Sequence, residues 1–234
     1  MMQGRLPNLH VAVCEDRLHG LAQMAKERPQ LRLVVLDDGM QHRPLQPDML
    51  MGLVSRDIPP KIWQWMHVVP AGTFRDLPSR LGQCDLIVDT SGAGKGRDLN
   101  SSVHPQQPRP FHGASSNPLT APTLLVTGIA RPQRVTQSAL DVGVDLAACA
   151  HYPDHHAFQT SDVAHWVAWM TDQNIQALLT TEKDAVRLQG ILPEGWKHAL
   201  WVLPMAVDWE EEARLQGFLE SWVQALPSLE QRMD

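Results

Sequence analysis

Short apolar runs alternating with segments of helical spacing constrain this chain more than any other feature. Leu33-Val34-Val35-Leu36, Met49 to Val54, Leu86-Ile87-Val88, Leu124-Leu125-Val126-Thr127, Ala177-Leu178-Leu179-Thr180-Thr181 and Trp201-Val202-Leu203 each read as a strand, and His10-Val11-Ala12-Val13 as a further short one. The intervening segments carry helix signals. Asp16 is placed to cap a helix bearing Leu18, Leu21, Ala22 and Ala25, and Pro132 sits where a first helical turn tolerates it. Thr160 precedes Val163, Trp166, Val167 and Met170 on one face, and Asp208 and Glu211 stand at capping-box spacing before Leu215, Phe218, Leu219, Trp222, Val223 and Leu226. Strands separated by helices in this way predict an α/β fold with a parallel sheet.

One stretch interrupts the pattern. Residues Thr90 to Pro122 are rich in Ser, Gly, Pro, Gln and Asn and read as a loop between two lobes, which divides the chain into 1–95, a linker at 96–122, and 123–234. A length of 234 residues allows one large domain or two small ones, and 43% hydrophobic with 20% charged residues is a globular composition. The formal charge of −6 offers no broad basic surface, so nucleic acid is disfavoured as a partner. Cys14, Cys84 and Cys149 are odd in number and widely spaced, which indicates neither a disulfide framework nor a zinc cluster and fits a reducing cytosol. Met1-Met2-Gln3-Gly4-Arg5 leads into a polar segment rather than a signal peptide, and no apolar run approaches the roughly 18 residues of a spanning helix.

Chemistry concentrates where strands are expected to end. Asp37-Asp38-Gly39-Met40-Gln41-His42-Arg43 directly follows the run Leu33–Leu36, and paired carboxylates at a strand's carboxyl end can hold a divalent cation, although Asp-Gly also suits a plain polar turn. Pro70-Ala71-Gly72 followed by Arg75-Asp76 combines a tight turn with a guanidinium that can fork onto phosphate and a carboxylate that can assist at a metal; the same residues would also make an ordinary surface pair. Tyr152-Pro153-Asp154-His155-His156-Ala157-Phe158 brings acid and imidazole together, either to move a proton or as solvated loop residues. Thr180-Thr181-Glu182-Lys183-Asp184 can meet a nucleotide or cap the next helix, and the cap is the favoured reading. Gly92-Ala93-Gly94-Lys95-Gly96 fails as a phosphate loop, because Asp89 stands where the first Gly belongs and Gly96 where a hydroxyl is required. Ile58 to Met66 mixes Trp, aliphatic and basic groups, a patch that suits core burial or a lipid surface.

Taken in order, the DDGMQHR motif, the Pro70–Asp76 segment, Val126-Thr127-Gly128-Ile129-Ala130-Arg131-Pro132-Gln133, the YPDHHAF motif and the run from Thr180 to Leu188 resemble the tetraacyldisaccharide 4′-kinase family of lipid A biosynthesis, from about Val11 to about Val207. The resemblance implies a P-loop kinase-like parallel sheet, present as a remnant, plus a second smaller α/β lobe. It implies transfer of the ATP γ-phosphate, with Mg²⁺, to the 4′-hydroxyl of a tetraacylated glucosamine disaccharide 1-phosphate at the cytoplasmic face of the inner membrane. Residue by residue, it implies Asp37 and Asp38 as metal-binding carboxylates, Asp38 also in the catalytic network, Asp76 as a further metal ligand, and Gln41 and His42 facing substrate or metal. Arg75 would stabilise the transferring phosphoryl group and His155 would support the catalytic base, roles that phosphoryl transfer demands. Met40 stands where the family has Phe, and Asp76 where it has Glu. The family's phosphate loop, its nearby Asp and its membrane anchor have no counterpart in the motifs found here, so impaired activity is expected. The alternatives are a noncatalytic remnant that binds an acylated sugar or protein partner, and a metal-dependent phosphoesterase using Asp37, Asp38, Asp154 and His155.

Overall fold

The computed structural model describes residues 8–42, 44–54, 68–69, 76–90, 98–113 and 118–226. In chain order the helices are α1 (Arg17–Glu27), α2 (Pro132–Asp141), α3 (Thr160–Asp172), α4 (Glu182–Leu188) and α5 (Glu212–Ala225). The strands are β1 (Met51–Val54), β2 (Leu86–Asp89), β3 (Leu99–Pro105), β4 (Arg109–Pro110), β5 (Thr123–Thr127), β6 (Leu146–His151), β7 (Ala177–Thr181), β8 (Leu200–Leu203) and β9 (Met205–Trp209). The described residues form two compact units, one within 103–207 and the other within 8–102 with 208–226.

The unit holding 103–207 contains a five-stranded sheet in the order β4-β8-β7-β5-β6, with β5, β6, β7 and β8 parallel and β4 antiparallel on β8. Strand β5 is buried throughout, as a parallel strand covered on both faces must be. Its side chains alternate between two cores. Leu124 and Val126 join Leu178, Leu200, Val202, Val163, Trp166, Met170 and Leu188 on the face covered by α3 and α4. Leu125 joins Leu179, Leu203 and Ala139 of α2 on the other. A fully apolar strand therefore serves both faces, which is why β5, β7 and β8 are legible as runs rather than as alternations.

In the second unit β1 and β2 pair in parallel from Met51↔Leu86 to Val54↔Asp89, and β3 continues beside β2 from Val88↔Leu99 in the sheet order β1-β2-β3-β9. Leu86, Val88 and Leu99 form the core there, packed by Met51, Trp209, and Leu215 and Phe218 of α5. Gly52 is required by close approach: a Cβ there would meet Cys84 Sγ and Leu81 Cδ2, each at 2.9 Å.

Several sequence expectations are corrected. His10–Val13 and Leu33–Leu36 are not strands, and Val13 and Val35 are 96% and 82% exposed. Apolar β-branched runs become strands only where a ladder partner and a packing face exist, and among the described residues neither run enters a sheet. The Asp37-Asp38 pair thus follows an irregular segment. Residues 98–113, within the expected linker, contain β3 and β4. Helix α3 is capped by Gln159 rather than Thr160, through a reciprocal box with Asp162, and α5 is preceded by Glu211 with no side-chain cap while Asp208 lies in β9. Asp16 does cap α1, accepting from His19 N at 3.1 Å.

Candidate functional site

The two strands β5 and β7 are neighbours whose connections leave in opposite directions, β5 through α2 to β6 on one flank and β7 through α4 to β8 on the other. That reversal makes the strands' carboxyl ends a topological switch point, the place where ligands of open α/β sheets bind. Three chain segments meet there.

The first is Gly128, immediately after β5. Its N–H donates to Asp184 Oδ2 at 2.9 Å, and its carbonyl accepts from His155 N at 3.2 Å. The second is the turn after β6, tied down by Tyr152 N donating to Thr127 O at 2.8 Å. Within it His155 adopts a left-handed conformation with φ 61°, its N–H also donating to Asp154 Oδ1 at 3.0 Å. The third is the start of α4. Thr181 is the cap, as expected, its hydroxyl accepting from Asp184 N at 3.1 Å. Lys183 is exposed, with Nζ 3.6 Å from Asp154 Oδ1.

The two adjacent imidazoles are in different circumstances. His156 stacks on Tyr152 with centroids 4.4 Å apart and its Nε2 lies 3.0 Å from Asp162 Oδ2. Phe158 meets it edge-on at 5.2 Å, and Trp166 closes the aromatic cluster by donating Nε1–H to the Tyr152 hydroxyl at 2.9 Å. His155 instead keeps a side chain 70% exposed, its Nε2 3.7 Å from Asp154 Oδ2. His156 is packed as structure; His155 is presented to solvent beside the ends of β5 and β7.

Asp162 is the hinge of that packing. Burial pushes its carboxyl upward, but the Gln159 N–H at 2.9 Å, the hydrogen bond and charge of His156, and the charge of His165 outweigh burial and hold it below the usual carboxylate range. A lowered folded value means stability that is present above the ordinary carboxylate pKa of about 4 and lost as pH falls through the folded value. The stability difference between wild type and Asp162→Asn, read from urea unfolding, is therefore expected to shrink steadily as pH falls below about 4.

Gly128 has little room for anything larger. A Cβ there would lie 3.1 Å from Phe158 Cζ and 3.5 Å from His156 Cβ, against rings that are themselves packed. Gly128→Ala is expected to cost about 1–3 kcal/mol in urea unfolding, because the aromatic cluster must shift to admit the methyl. An unchanged midpoint would show that the rings yield freely.

The acidic motif belongs to the other unit. Asp37 and Asp38 are exposed; Asp38 has φ 55° and precedes the 3₁₀ turn Gly39–Gln41. With its amide nitrogen turned toward the acceptors, Gln41 donates to Asp38 Oδ1 at 3.1 Å, and His42 N donates to Gly39 O at 3.1 Å. Asp76 is committed locally: Oδ2 pairs with Arg80 Nη1 and Oδ1 accepts from Leu77 N at 2.8 Å. Arg75 lies outside the described residues. Among the described residues no three His, Cys, Asp or Glu side chains form a metal cage. Mg²⁺ does not ask for one, since it binds through one or two carboxylates and completes its shell with water and substrate phosphates. Asp37 and Asp38, as adjacent exposed oxygen donors, fit that mode, whereas Asp76 is already engaged by Arg80 and by the Leu77 N–H.

Sequence reading passed over Gly128 and Asp184 as contributors in their own right. The available signals were a Gly directly after a fully apolar strand, and an acid three residues after a capping Thr, where Thr alone suffices for the cap.

A profile of the tetraacyldisaccharide-1-P 4′-kinase family matches residues 1–224. A tetraacyldisaccharide 4′-kinase of Acidithiobacillus ferrooxidans is 31% identical over 226 residues, covering 90% of this chain and 61% of the relative. One from Pasteurella multocida is 28% identical over 211 residues, covering 89% and 61%. A crystal structure of LpxK from Aquifex aeolicus in complex with ATP superposes with a TM-score of 0.65 at 20% identity, over 90% of this chain and 64% of that one, which establishes a shared fold of the P-loop kinase-like class. The chain spans about three fifths of the length of the curated relatives it matches.

Proposed function

Because the chain belongs to the tetraacyldisaccharide-1-P 4′-kinase family, we propose that it serves phosphate transfer from ATP to the 4′-hydroxyl of a tetraacylated glucosamine disaccharide 1-phosphate, a step of lipid A biosynthesis. The observation that carries this reading is the family match across 1–224, which takes in all five ordered motifs. In this reading Asp37 and Asp38 hold Mg²⁺, with Asp38 also in the catalytic network, and Gln41 and His42 orient these groups or the sugar. Mg²⁺, when bound, neutralises charge on the β- and γ-phosphates.

Arg75 is assigned to the equatorial oxygens of the transferring phosphoryl group, where a planar guanidinium gives two parallel hydrogen bonds. His155 is assigned to support the base that takes the 4′-hydroxyl proton, an assignment supported by its exposed ring and the neighbouring Asp154 carboxylate. Asp76 is a metal ligand only if it releases Arg80. The substrate's acyl chains put the reaction at a membrane surface, at the cytoplasmic face of the inner membrane; among the described residues no helix is long and apolar enough to cross one.

The test is transfer of labelled γ-phosphate from ATP to the tetraacyldisaccharide 1-phosphate in vesicles, by the purified chain and by the chain fused to the additional length of a relative. Transfer by either supports the reading. Glycolipid binding with no transfer by the fused form would replace it with a noncatalytic binding role, and hydrolysis of simple phosphoesters with no use of ATP would replace it with phosphoesterase chemistry.

A further inference from the structure

We propose that Asp184 is a positioning residue of the switch point at the carboxyl ends of β5 and β7, and that it acts through Gly128 to hold His155 in its left-handed conformation. The proposal rests on the role given to His155 above.

Asp184 is completely buried, and a buried carboxylate is unfavourable unless it is fully partnered. Capping does not account for its presence, because the Thr181 hydroxyl already accepts from the Asp184 N–H. The carboxylate instead spans the topological switch. Oδ2 accepts from Gly128 N at 2.9 Å and from the Thr181 hydroxyl at 3.1 Å, while Oδ1 lies 3.5 Å from Arg187 Nη1. It thereby joins the residue after β5 to the helix after β7.

Gly128 in turn is engaged on every side. Its N–H is held by Asp184, its carbonyl receives the His155 N–H, and a Cβ on it would meet Phe158 and His156. Non-glycine residues with positive φ persist only where surrounding contacts over-determine them, and such residues gather at functional sites. His155, at φ 61°, has two such contacts on its N–H, from Gly128 O and Asp154 Oδ1. Asp154 is on the same exposed turn, so of the two contacts on the His155 N–H the one that reaches the end of β5 is Gly128, and Asp184 fixes Gly128. The left-handed backbone sends the His155 ring outward while His156 goes into the aromatic cluster.

The deciding experiment compares Asp184→Ala, Asp184→Asn and Leu188→Ala in the full chain by residue-resolved amide hydrogen exchange. Leu188 is fully buried on the same helix and has no hydrogen bond to Gly128, so it supplies a loss of stability without the proposed link. In Asp184→Ala the Gly128 and His155 amides are expected to exchange at least about tenfold faster than in Leu188→Ala, after both are compared with core amides of β5. Asp184→Asn retains an acceptor oxygen for Gly128 and is expected to recover part of that protection; it carries the same comparison if the Ala variant does not fold. Equal exchange at His155 in the Asp184 and Leu188 variants would overturn the proposal. In an active preparation, kcat per folded molecule should fall about 10²-fold in Asp184→Ala with KM for ATP little changed, as for a misplaced reacting group. A fall of equal size in Leu188→Ala would likewise overturn it. The exchange comparison needs no turnover, so failure of the kinase reading leaves it decisive.

Discussion

Asp38→Asn is expected to lower ATP-dependent phosphate transfer by about 10²–10⁴-fold while shifting unfolding stability by less than about 0.5 kcal/mol. The two halves of that expectation have separate causes. Asp38 is exposed and in the left-handed region at φ 55°, which Asn tolerates well, and Asn keeps an acceptor oxygen for Gln41, so the fold is expected to change little. A metal-binding carboxylate made neutral loses most of its attraction for Mg²⁺, and phosphoryl transfer depends almost entirely on such charge placement. Asp37→Asn should behave in the same way, and raising Mg²⁺ should recover part of the rate in each. The measurement is transfer of labelled phosphate to the tetraacyldisaccharide 1-phosphate across a Mg²⁺ series, beside urea unfolding. Rates within a few-fold of wild type in both variants would remove the acidic pair from the mechanism.

Trp166→Ala is expected to cost about 3–5 kcal/mol of stability, the range for deleting a buried large aromatic. Trp166 is 2% exposed in the core beneath α3 and shares edge-to-face contacts with Tyr152 at 5.7 Å and Phe158 at 5.6 Å. Truncation leaves a cavity, removes both ring contacts and strips the Tyr152 hydroxyl of its Nε1–H donor. Because Tyr152 is also the platform for His156, the loss should spread into the turn that carries His155. Urea unfolding gives the magnitude, and line broadening at 152–156 in the folded state gives the spread. A loss under about 1 kcal/mol would mean that the cluster repacks around the void and that the turn is held mainly from the Gly128 side.

Legibility of the fold followed packing. The runs at β5, β7 and β8 were readable because each is buried on both faces, so periodicity collapses into a continuous apolar string. Leu33–Leu36 has the same appearance but no ladder partner among the described residues, and nothing in the four residues distinguishes the two cases. Strand β6, with the small-residue sequence Leu146-Ala147-Ala148-Cys149-Ala150-His151, escaped notice because it is weak in β-branched and aromatic groups and is held by its parallel ladder with β5. Strands β3 and β4 were hidden in a polar, proline-bearing stretch whose backbone bonds are supplied by neighbours far along the chain, as Arg109↔Val202 illustrates.

The same division runs through the site. Residue types and order put forward Asp37, Asp38, Asp154 and His155 as candidates, because metal and proton chemistry draws on carboxylates and imidazoles in a narrow set of spacings. Family membership follows from that order too. What each residue does with its neighbours was settled only in three dimensions: Asp76 is spent on Arg80, His156 on Asp162 and Tyr152, and Asp184 on a glycine 56 positions earlier. Hydrogen bonds and ring contacts depend on which strand ends adjoin, and that adjacency arises from the order β8-β7-β5-β6, a property of long-range pairing that local propensity does not encode.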